Sequence, residues 1–220
     1  MIEAVIFDMD GLLIDSEPLW QEAEVQIFGN VGVPLTLDMT PQTMGLRTDE
    51  VVSYWHKRFP WDTPTQQEVG RQLDETVSEL IRQKGIAKEG VQQAISICES
   101  AGLPIAIASS SPMLLITTVL EKLGIANKIK AIHSAHDEAY GKPHPAVYIS
   151  TAEALGIHPD HCLTFEDSAN GVLSAKAAKM KCIAIPEPES RNDKRFGIAD
   201  IILHSLLDFT PEMLKNWQSM

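Results

Sequence analysis

The chain has 220 residues, of which 44% are hydrophobic and 22% are charged. This length suits one domain, or one domain with a small insertion, and the composition argues against overall disorder. Thirty acidic residues against 18 basic ones give a formal net charge of −12. We therefore expect no nucleic acid partner, because the chain lacks the basic surface that one requires.

The three cysteines, Cys98, Cys162 and Cys182, are an odd number without a CxxC spacing. This argues against a disulfide framework or a zinc ribbon and fits a reducing compartment. The N-terminus carries no basic segment ahead of an apolar one, so we expect no signal peptide and a cytoplasmic protein. Residues 100–120 are uncharged, but prolines and serines interrupt them. We expect a strand, a turn and a helix there, and no association with a membrane.

Six short apolar runs predict buried strands, because they are too short for helices and are mostly β-branched or aromatic. The runs are residues 4–7, 105–108, 131–132, 162–165, 182–185 and 201–203. Apolar residues at helical spacing separate the later runs, and Gly124 and Gly156 stand where two helices are expected to end. Strands that alternate with helices predict an α/β fold with a parallel sheet covered on both faces.

The stretch from about residue 18 to 86 interrupts this alternation. It contains no convincing strand, and its apolar residues recur at helical spacing, as do Val69 and Leu73. We therefore expect a small all-helical domain, 18–86, inserted after the first strand of a core that comprises residues 1–17 and 87–220.

Two carboxylates, Asp8 and Asp10, stand two residues apart where the first predicted strand gives way to a turn. Open α/β sheets bind ligands at the carboxyl ends of their strands, and residues i and i+2 of a strand share one face. Both carboxylates are therefore expected to face one substrate, with a cation between them to offset their repulsion. The alternative is a turn aspartate followed by a helix-capping aspartate.

Three further motifs follow other predicted strands. Ser109 and Ser110 precede a helix, where hydroxyls and free backbone N–H groups form an anion site or simply cap the helix. Lys142 precedes Pro-His-Pro and either presents an ammonium to the crevice or is a solvated loop lysine. Glu166 and Asp167 end a later strand and could bind a hard cation, and the alternative is that Asp167 or Ser168 caps a helix. A magnesium ion with a phosphate would balance the charges of all four motifs in one crevice.

The chain resembles the haloacid dehalogenase superfamily, in the branch of β-phosphoglucomutase and the sugar-phosphate phosphatases that carry a helical cap. The segments FDMDGLLIDSE, IASSS, GKPHPAVY and FEDSANG match the four motifs of the family in order, and the resemblance covers essentially the whole chain. Within this branch, MDGLLIDSEPLW and MGLR are most similar to bacterial hexitol and 2-deoxyglucose-6-phosphate phosphatases. The resemblance implies a Rossmann-like core and a cap that sets specificity.

The resemblance also implies the roles of the site residues. Asp8 would be the nucleophile and Asp10 the general acid and base. Ser109 and Lys142 would bind the phosphoryl group. The implied ligands of Mg²⁺ are Asp8, the Asp10 carbonyl, Glu166 and Asp167.

Two residues of the insertion bear on the substrate. Arg47, in MGLR, either contacts a sugar or phosphate from the cap or is a solvated surface arginine. Trp20 stands where the mutases carry a histidine, and an indole cannot transfer a proton as that histidine does.

We therefore expect a Mg²⁺-dependent phosphatase that acts on a small phosphorylated sugar or sugar alcohol. A β-phosphoglucomutase-like sugar phosphomutase is the alternative. A phosphoacceptor receiver domain is excluded, because receivers have no helical insertion between the first strand and the hydroxyl residue. We expect a monomer by default.

Overall fold

A single sheet of six parallel strands lies at the centre of the computed structural model of the protein, which describes residues 1–218. The strands are β1 (Ala4–Phe7), β2 (Ile105–Ser109), β3 (Ile129–Ser134), β4 (Cys162–Glu166), β5 (Lys181–Ala184) and β6 (Ile201–Ile202). Their order is β3-β2-β1-β4-β5-β6, and every pair is parallel. The predicted Rossmann-like α/β fold is confirmed. β3 is longer than predicted because it is an edge strand, so partly exposed polar residues extend it.

Eight helices accompany the sheet in the described part of the chain. They are α1 (Glu17–Asn30), α2 (Thr48–Arg58), α3 (Gln66–Lys84), α4 (Val91–Ser100), α5 (Met113–Leu123), α6 (Ala146–Leu155), α7 (Ala169–Ala177) and α8 (Pro211–Gln218). Gly124 and Gly156 end α5 and α6 in the left-handed conformation, as predicted. The uncharged segment forms β2, a turn and α5, and none of the described helices is long and apolar enough to cross a bilayer. The three cysteines are buried and unpaired, in agreement with the sequence.

The two faces of the sheet carry side chains of different size. On one face large residues pack together, and Phe7 stacks on Phe165 with ring centroids 4.7 Å apart. On the other face small residues such as Ala106 and Ala108 face a separate core that includes Tyr148 of α6. Small side chains allow a helix to approach a sheet closely, so α6 brings Tyr148 to the strand ends.

Helices α1, α2 and α3 follow β1 and pack on one another. Phe28 and Trp55 form an edge-to-face pair in their shared apolar cluster, with centroids 6.5 Å apart. α3 also packs on α5, where the Ser78 and Thr118 hydroxyls lie 2.9 Å apart. Residues 18–86, all of which the structure describes, form no strand of the sheet. The division of the chain into a core and a cap stays a prediction.

The two connections between this helical segment and the sheet pair with each other. The N–H of Asp15 donates to the carbonyl of Ile86 at 2.9 Å, and the N–H of Lys88 donates to the carbonyl of Leu13 at 3.0 Å. An antiparallel bridge lies between these two bonds. The connections therefore form one short two-stranded ribbon instead of two independent links.

Gly90 ends the second connection with φ of +85°, and a Cβ there would lie 2.4 Å from the Leu207 backbone nitrogen. We expect Gly90→Ala to lower the free energy of unfolding by about 1–3 kcal/mol more than Gly102→Ala does. Gly102 is the matched control, because its φ is +70° but its Cβ would meet nothing within 4 Å. Urea unfolding of both variants measures the difference, and equal losses would contradict a clash at Gly90.

Candidate active site

A crevice opens at the carboxyl ends of β1, β2 and β4 and encloses about 200 Å³, enough for a small metabolite. From β1 the strand order runs through β2 to one edge and through β4 to the other. Open α/β sheets bind ligands at such a switch point. Asp8 directly follows β1, Ser109 ends β2 and Glu166 ends β4. Three of the four predicted motifs therefore meet at this point.

The Lys142 ammonium lies at the centre of the site. Its Nζ donates to Asp8 Oδ1 and Glu166 Oε1, both at 2.7 Å, and to the Ala108 carbonyl at 2.9 Å. Lys142 is only 5% exposed, so the alternative of a solvated loop lysine is wrong. Burial opposes the charged form, but the two carboxylates outweigh it and hold the pKa of Lys142 above its usual value.

Glu166 is fully buried beside Lys142. The Tyr148 hydroxyl donates to its Oε1 at 2.6 Å, and the Ser168 hydroxyl donates to its Oε2 at 3.2 Å. A Cβ on Gly171 would lie 1.9 Å from Glu166 Oε1, so only glycine fits there. We did not identify Tyr148 as a site residue from the sequence, because its place in an apolar helical pattern is typical of a core aromatic.

Asp8, Glu166 and Asp167 form a group of three carboxylates. One oxygen of each lies within 4.8 Å of the others. Burial raises the pKa of Asp8 more than Lys142 lowers it. Burial also raises the pKa of Asp167 well above its ordinary value, and the neighbouring carboxylates add to this effect.

This group has the composition of a site for a hard divalent cation. Three carboxylates lie together, and one ammonium pairs with two of them, which leaves an excess of negative charge. The Oδ1 atom of Asp167 is buried, and no described residue forms a hydrogen bond with it. Gly11 leaves room for this carboxylate, since a Cβ there would lie 2.1 Å from Asp167 Oδ2. Oxygen ligands of this kind fit Mg²⁺.

Donors from two segments of the chain hold Asp10 in the crevice. The hydroxyls of Ser16 and Ser111 donate to its two carboxylate oxygens, each at 2.7 Å. The Trp20 Nε1 donates to the same carboxylate at 3.3 Å. We did not predict these contacts, because serines before helices are typical capping residues. α5 in fact begins at Met113, and Ser111 lies ahead of its capping position.

Ser109 and Ser110 both line the crevice, as the sequence predicts. Ser109 is buried, and its hydroxyl accepts a hydrogen bond from the backbone N–H of Ser111 at 3.0 Å. Ser111 lines the crevice as well, so three consecutive serines at the end of β2 border it.

The Arg47 side chain is held by hydrogen bonds within the protein. Its Nη1 donates to the carbonyls of Ala135 and Glu138 at 3.1 and 2.9 Å, and its Nη2 donates to Asp49 at 3.0 Å. The side chain is only 12% exposed, so it is not a solvated surface arginine. The guanidinium links the start of α2 to the loop after β3, and the predicted contact with a substrate stays a prediction.

One face of α1 forms another wall of the crevice. Glu17, Trp20 and Glu24 line it from this helix, together with Thr43. Their spacing of three and four residues places them on one side of a helix. Glu24 is 5% exposed, and burial raises its pKa to about 8, with a further contribution from Glu17. We did not identify Glu24 from the sequence, because an isolated glutamate in a helix usually faces solvent.

Comparison with known proteins agrees with this geometry. The sequence model described as haloacid dehalogenase-like hydrolase matches residues 5–185. The chain belongs to this family. Hexitol phosphatase B of Escherichia coli (strain K12) is 42% identical over 214 residues, which are 97% of this chain and 96% of that protein. The predicted phosphoric monoester hydrolase is confirmed by the hydrolase family and by this relative, which is named a phosphatase.

Solved structures of this family have the same fold. The crystal structure of CbbY from Rhodobacter sphaeroides in complex with phosphate has a TM-score of 0.86 at 24% identity, and covers 94% of this chain and 96% of that one. β-Phosphoglucomutase from Clostridium difficile has a TM-score of 0.84 at 21% identity, and the coverage is 98% and 96%. The predicted resemblance to the β-phosphoglucomutase-like branch is therefore confirmed at the level of fold.

The buried carboxyl of Glu24 makes a pH-dependent contribution to stability. Its pKa is 4.5 when unperturbed and about 8 in the folded protein. The protonated carboxyl therefore contributes its full stabilisation of the folded state below pH 4.5, and this stabilisation is lost as the pH rises through 8. We expect the melting temperature of Glu24→Gln, relative to the native protein, to rise between pH 5 and pH 8. Glu22→Gln is the control, because Glu22 is 47% exposed on the same helix. The prediction would be contradicted if the melting temperatures of Glu24→Gln and the native protein differed by the same amount at pH 5 and at pH 8.

Proposed function

We propose that the protein is a Mg²⁺-dependent phosphatase that hydrolyses phosphate monoesters of small sugars or sugar alcohols through an aspartyl phosphate. The proposed substrates include hexose and hexitol phosphates and 2-deoxyglucose 6-phosphate. The observation that carries the proposal is the placement of Asp8 and Asp10 in one crevice, with Asp8 bonded to Lys142 and Asp10 held by separate donors. The similarity to hexitol phosphatase B supports the substrate class.

In the first step Asp8 attacks the phosphorus atom. A bond forms between a carboxylate oxygen of Asp8 and phosphorus as the bond from phosphorus to the sugar oxygen breaks. Lys142 stabilises the negative charge on the phosphoryl oxygens, and Ser109 and Ser110 donate hydrogen bonds to them. Because Lys142 already contacts Asp8 Oδ1, the ammonium also orients the nucleophile.

Asp10 acts as the general acid and then as the general base. Its proton passes to the leaving alkoxide, and in the second step it takes a proton from the water that attacks the aspartyl phosphate. This attack releases inorganic phosphate and regenerates the Asp8 carboxylate. Ser16, Ser111 and Trp20 hold the carboxyl of Asp10 in place through both steps.

The ligands proposed for Mg²⁺ are Asp8, the main-chain carbonyl of Asp10, Glu166 and Asp167. The ion, when bound, offsets the repulsion between the carboxylates and the phosphate and orients both. Asp167 has a buried oxygen free of hydrogen bonds from the described residues, whereas Lys142, Tyr148 and Ser168 already use Glu166. Besides its proposed contact with the ion, Glu166 therefore also positions Lys142.

A sugar phosphomutase is the second candidate, because β-phosphoglucomutase shares the fold. Against it stands Trp20, which lies beside Asp10 at the position where the mutases carry a histidine. The indole N–H donates a hydrogen bond but accepts no proton, so the residue favours hydrolysis over a second phosphoryl transfer. Monomeric state and cytoplasmic location stay predictions from the sequence.

Two substitutions test the catalytic roles. We expect Asp8→Asn to abolish turnover, because the amide oxygen is a poor nucleophile in an otherwise isosteric side chain. We expect Asp10→Asn to lower kcat by about 10²–10⁴-fold for an alkyl phosphate, and by less for p-nitrophenyl phosphate, whose leaving group needs little protonation. Circular dichroism checks the fold of both variants. Normal turnover by Asp8→Asn, verified by mass spectrometry against deamidation, would exclude Asp8 as the nucleophile.

Product analysis of the native protein tests the reaction and its metal. With Mg²⁺ and a panel of hexose and hexitol phosphates, we expect inorganic phosphate as the product, and loss of activity in excess EDTA. Mg²⁺ should also raise the melting temperature, because it would bind only the folded carboxylate group. With β-glucose 1-phosphate and a trace of the bisphosphate, glucose 6-phosphate that accumulates faster than phosphate would establish the mutase instead.

A further inference from the structure

We propose that Glu24 recognises the uncharged hydroxyl-bearing end of the substrate, and that the wall formed by α1 disfavours a second anionic group. This inference rests on the proposed function and narrows it to monophosphates of neutral polyhydroxy compounds.

The position of Glu24 places it away from the phosphoryl chemistry. Ser16 and Trp20 contact Asp10, and Glu24 lies one helical turn beyond Trp20 on the same side of α1. Four residues advance a helix by about 6 Å. Glu24 therefore lines the part of the crevice that the substrate enters beyond its phosphoryl group.

The surroundings of Glu24 leave it able to bind a ligand. The Thr43 hydroxyl donates to its Oε2, but at a long 3.4 Å. The Trp55 indole slightly favours the ionised form, although its Nε1 has no hydrogen bond of normal geometry to the described residues. A buried carboxyl with such weak partners is costly to the fold. Hydroxyl groups of a substrate would supply the missing donors, and a carboxyl accepts them whether or not it is protonated.

The charges that line the crevice argue against a second anion. Among the described lining residues the cations are Lys142, which contacts two carboxylates, and Arg195, which forms an ion pair with Asp193 at 2.6 Å. The wall from α1 instead carries Glu17 and Glu24. A second phosphate or a carboxylate at this end would find no free cation to pair with, and burying an unpaired charge is costly.

Apolar residues of the helical segment also line the crevice. Met44, Leu46 and Val51 line the crevice on the side of the helical segment. They offer no hydrogen bonds from their side chains, so Glu24 and Thr43 are the groups there that orient hydroxyls. Loss of the Glu24 carboxyl should therefore change the choice of substrate more than the chemistry of phosphoryl transfer.

The test compares two substrates with the same carbon chain, glucitol 6-phosphate and 6-phosphogluconate, which carries a carboxylate at the other end. We expect the native protein to prefer glucitol 6-phosphate. In Glu24→Gln, kcat/KM for glucitol 6-phosphate relative to p-nitrophenyl phosphate should fall about tenfold, mainly through KM, because the amide offers one acceptor oxygen where the carboxyl offers two. The ratio of kcat/KM for glucitol 6-phosphate to kcat/KM for 6-phosphogluconate should fall by a similar factor.

Glu22→Gln is the matched control, because Glu22 lies on the same helix, is exposed and pairs with Lys84. It should leave both ratios unchanged. A merely structural role for Glu24 would lower the activity on every substrate together and leave the ratios intact.

The possible failures are distinguishable. A native protein that hydrolyses none of these phosphates would overturn both the proposed function and this inference. Unchanged ratios in an active Glu24→Gln variant would overturn the inference alone. Should that variant not fold, equal kcat/KM of the native protein for glucitol 6-phosphate and 6-phosphogluconate would overturn it equally.

Discussion

One buried ammonium joins the three strand ends on which the site depends. Lys142 contacts the carbonyl of Ala108 in β2, the carboxylate of Asp8 after β1 and the carboxylate of Glu166 at the end of β4. Without a cation, burying these carboxylates together would be strongly unfavourable. Tyr148 reaches Glu166 from α6 because the side chains on that face of the sheet are small. The charges in the crevice therefore depend on the packing of one face of the sheet, because that packing brings Tyr148 to Glu166.

The parts of the structure that local signals encode could be predicted from the sequence. Buried strands leave short apolar runs, and the residues that follow them meet at one edge of a parallel sheet, so Asp8 and Asp10 were found. The contacts that could not be predicted join distant residues. Ser111 is 101 residues from Asp10, and Arg47 donates to carbonyls 88 and 91 residues away. A pattern along the chain carries no information about such pairs, and for Glu24 it indicates the wrong environment.

The site combines groups that each oppose folding. Glu24 and Asp167 are carboxyls whose pKa burial raises, and Asp167 Oδ1 has no hydrogen bond from the described residues. Such groups persist in a protein when the surrounding packing is stable enough to hold them. Here the stacked Phe7 and Phe165 and the large residues of the same face form that packing. The packing that stabilises the fold thus lies on one face of the sheet, next to the strand ends that carry the reactive groups.

The contact of Arg47 with the loop after β3 does not depend on which side chains the loop carries. Both acceptors are main-chain carbonyls, those of Ala135 and Glu138. Every amino acid carries such a carbonyl, so substitutions at these two positions preserve the hydrogen bonds as long as the loop keeps its path. The arginine is the one side chain on which these bonds depend. Evolution is therefore free to vary the side chains of this loop without loosening the attachment of the helical segment.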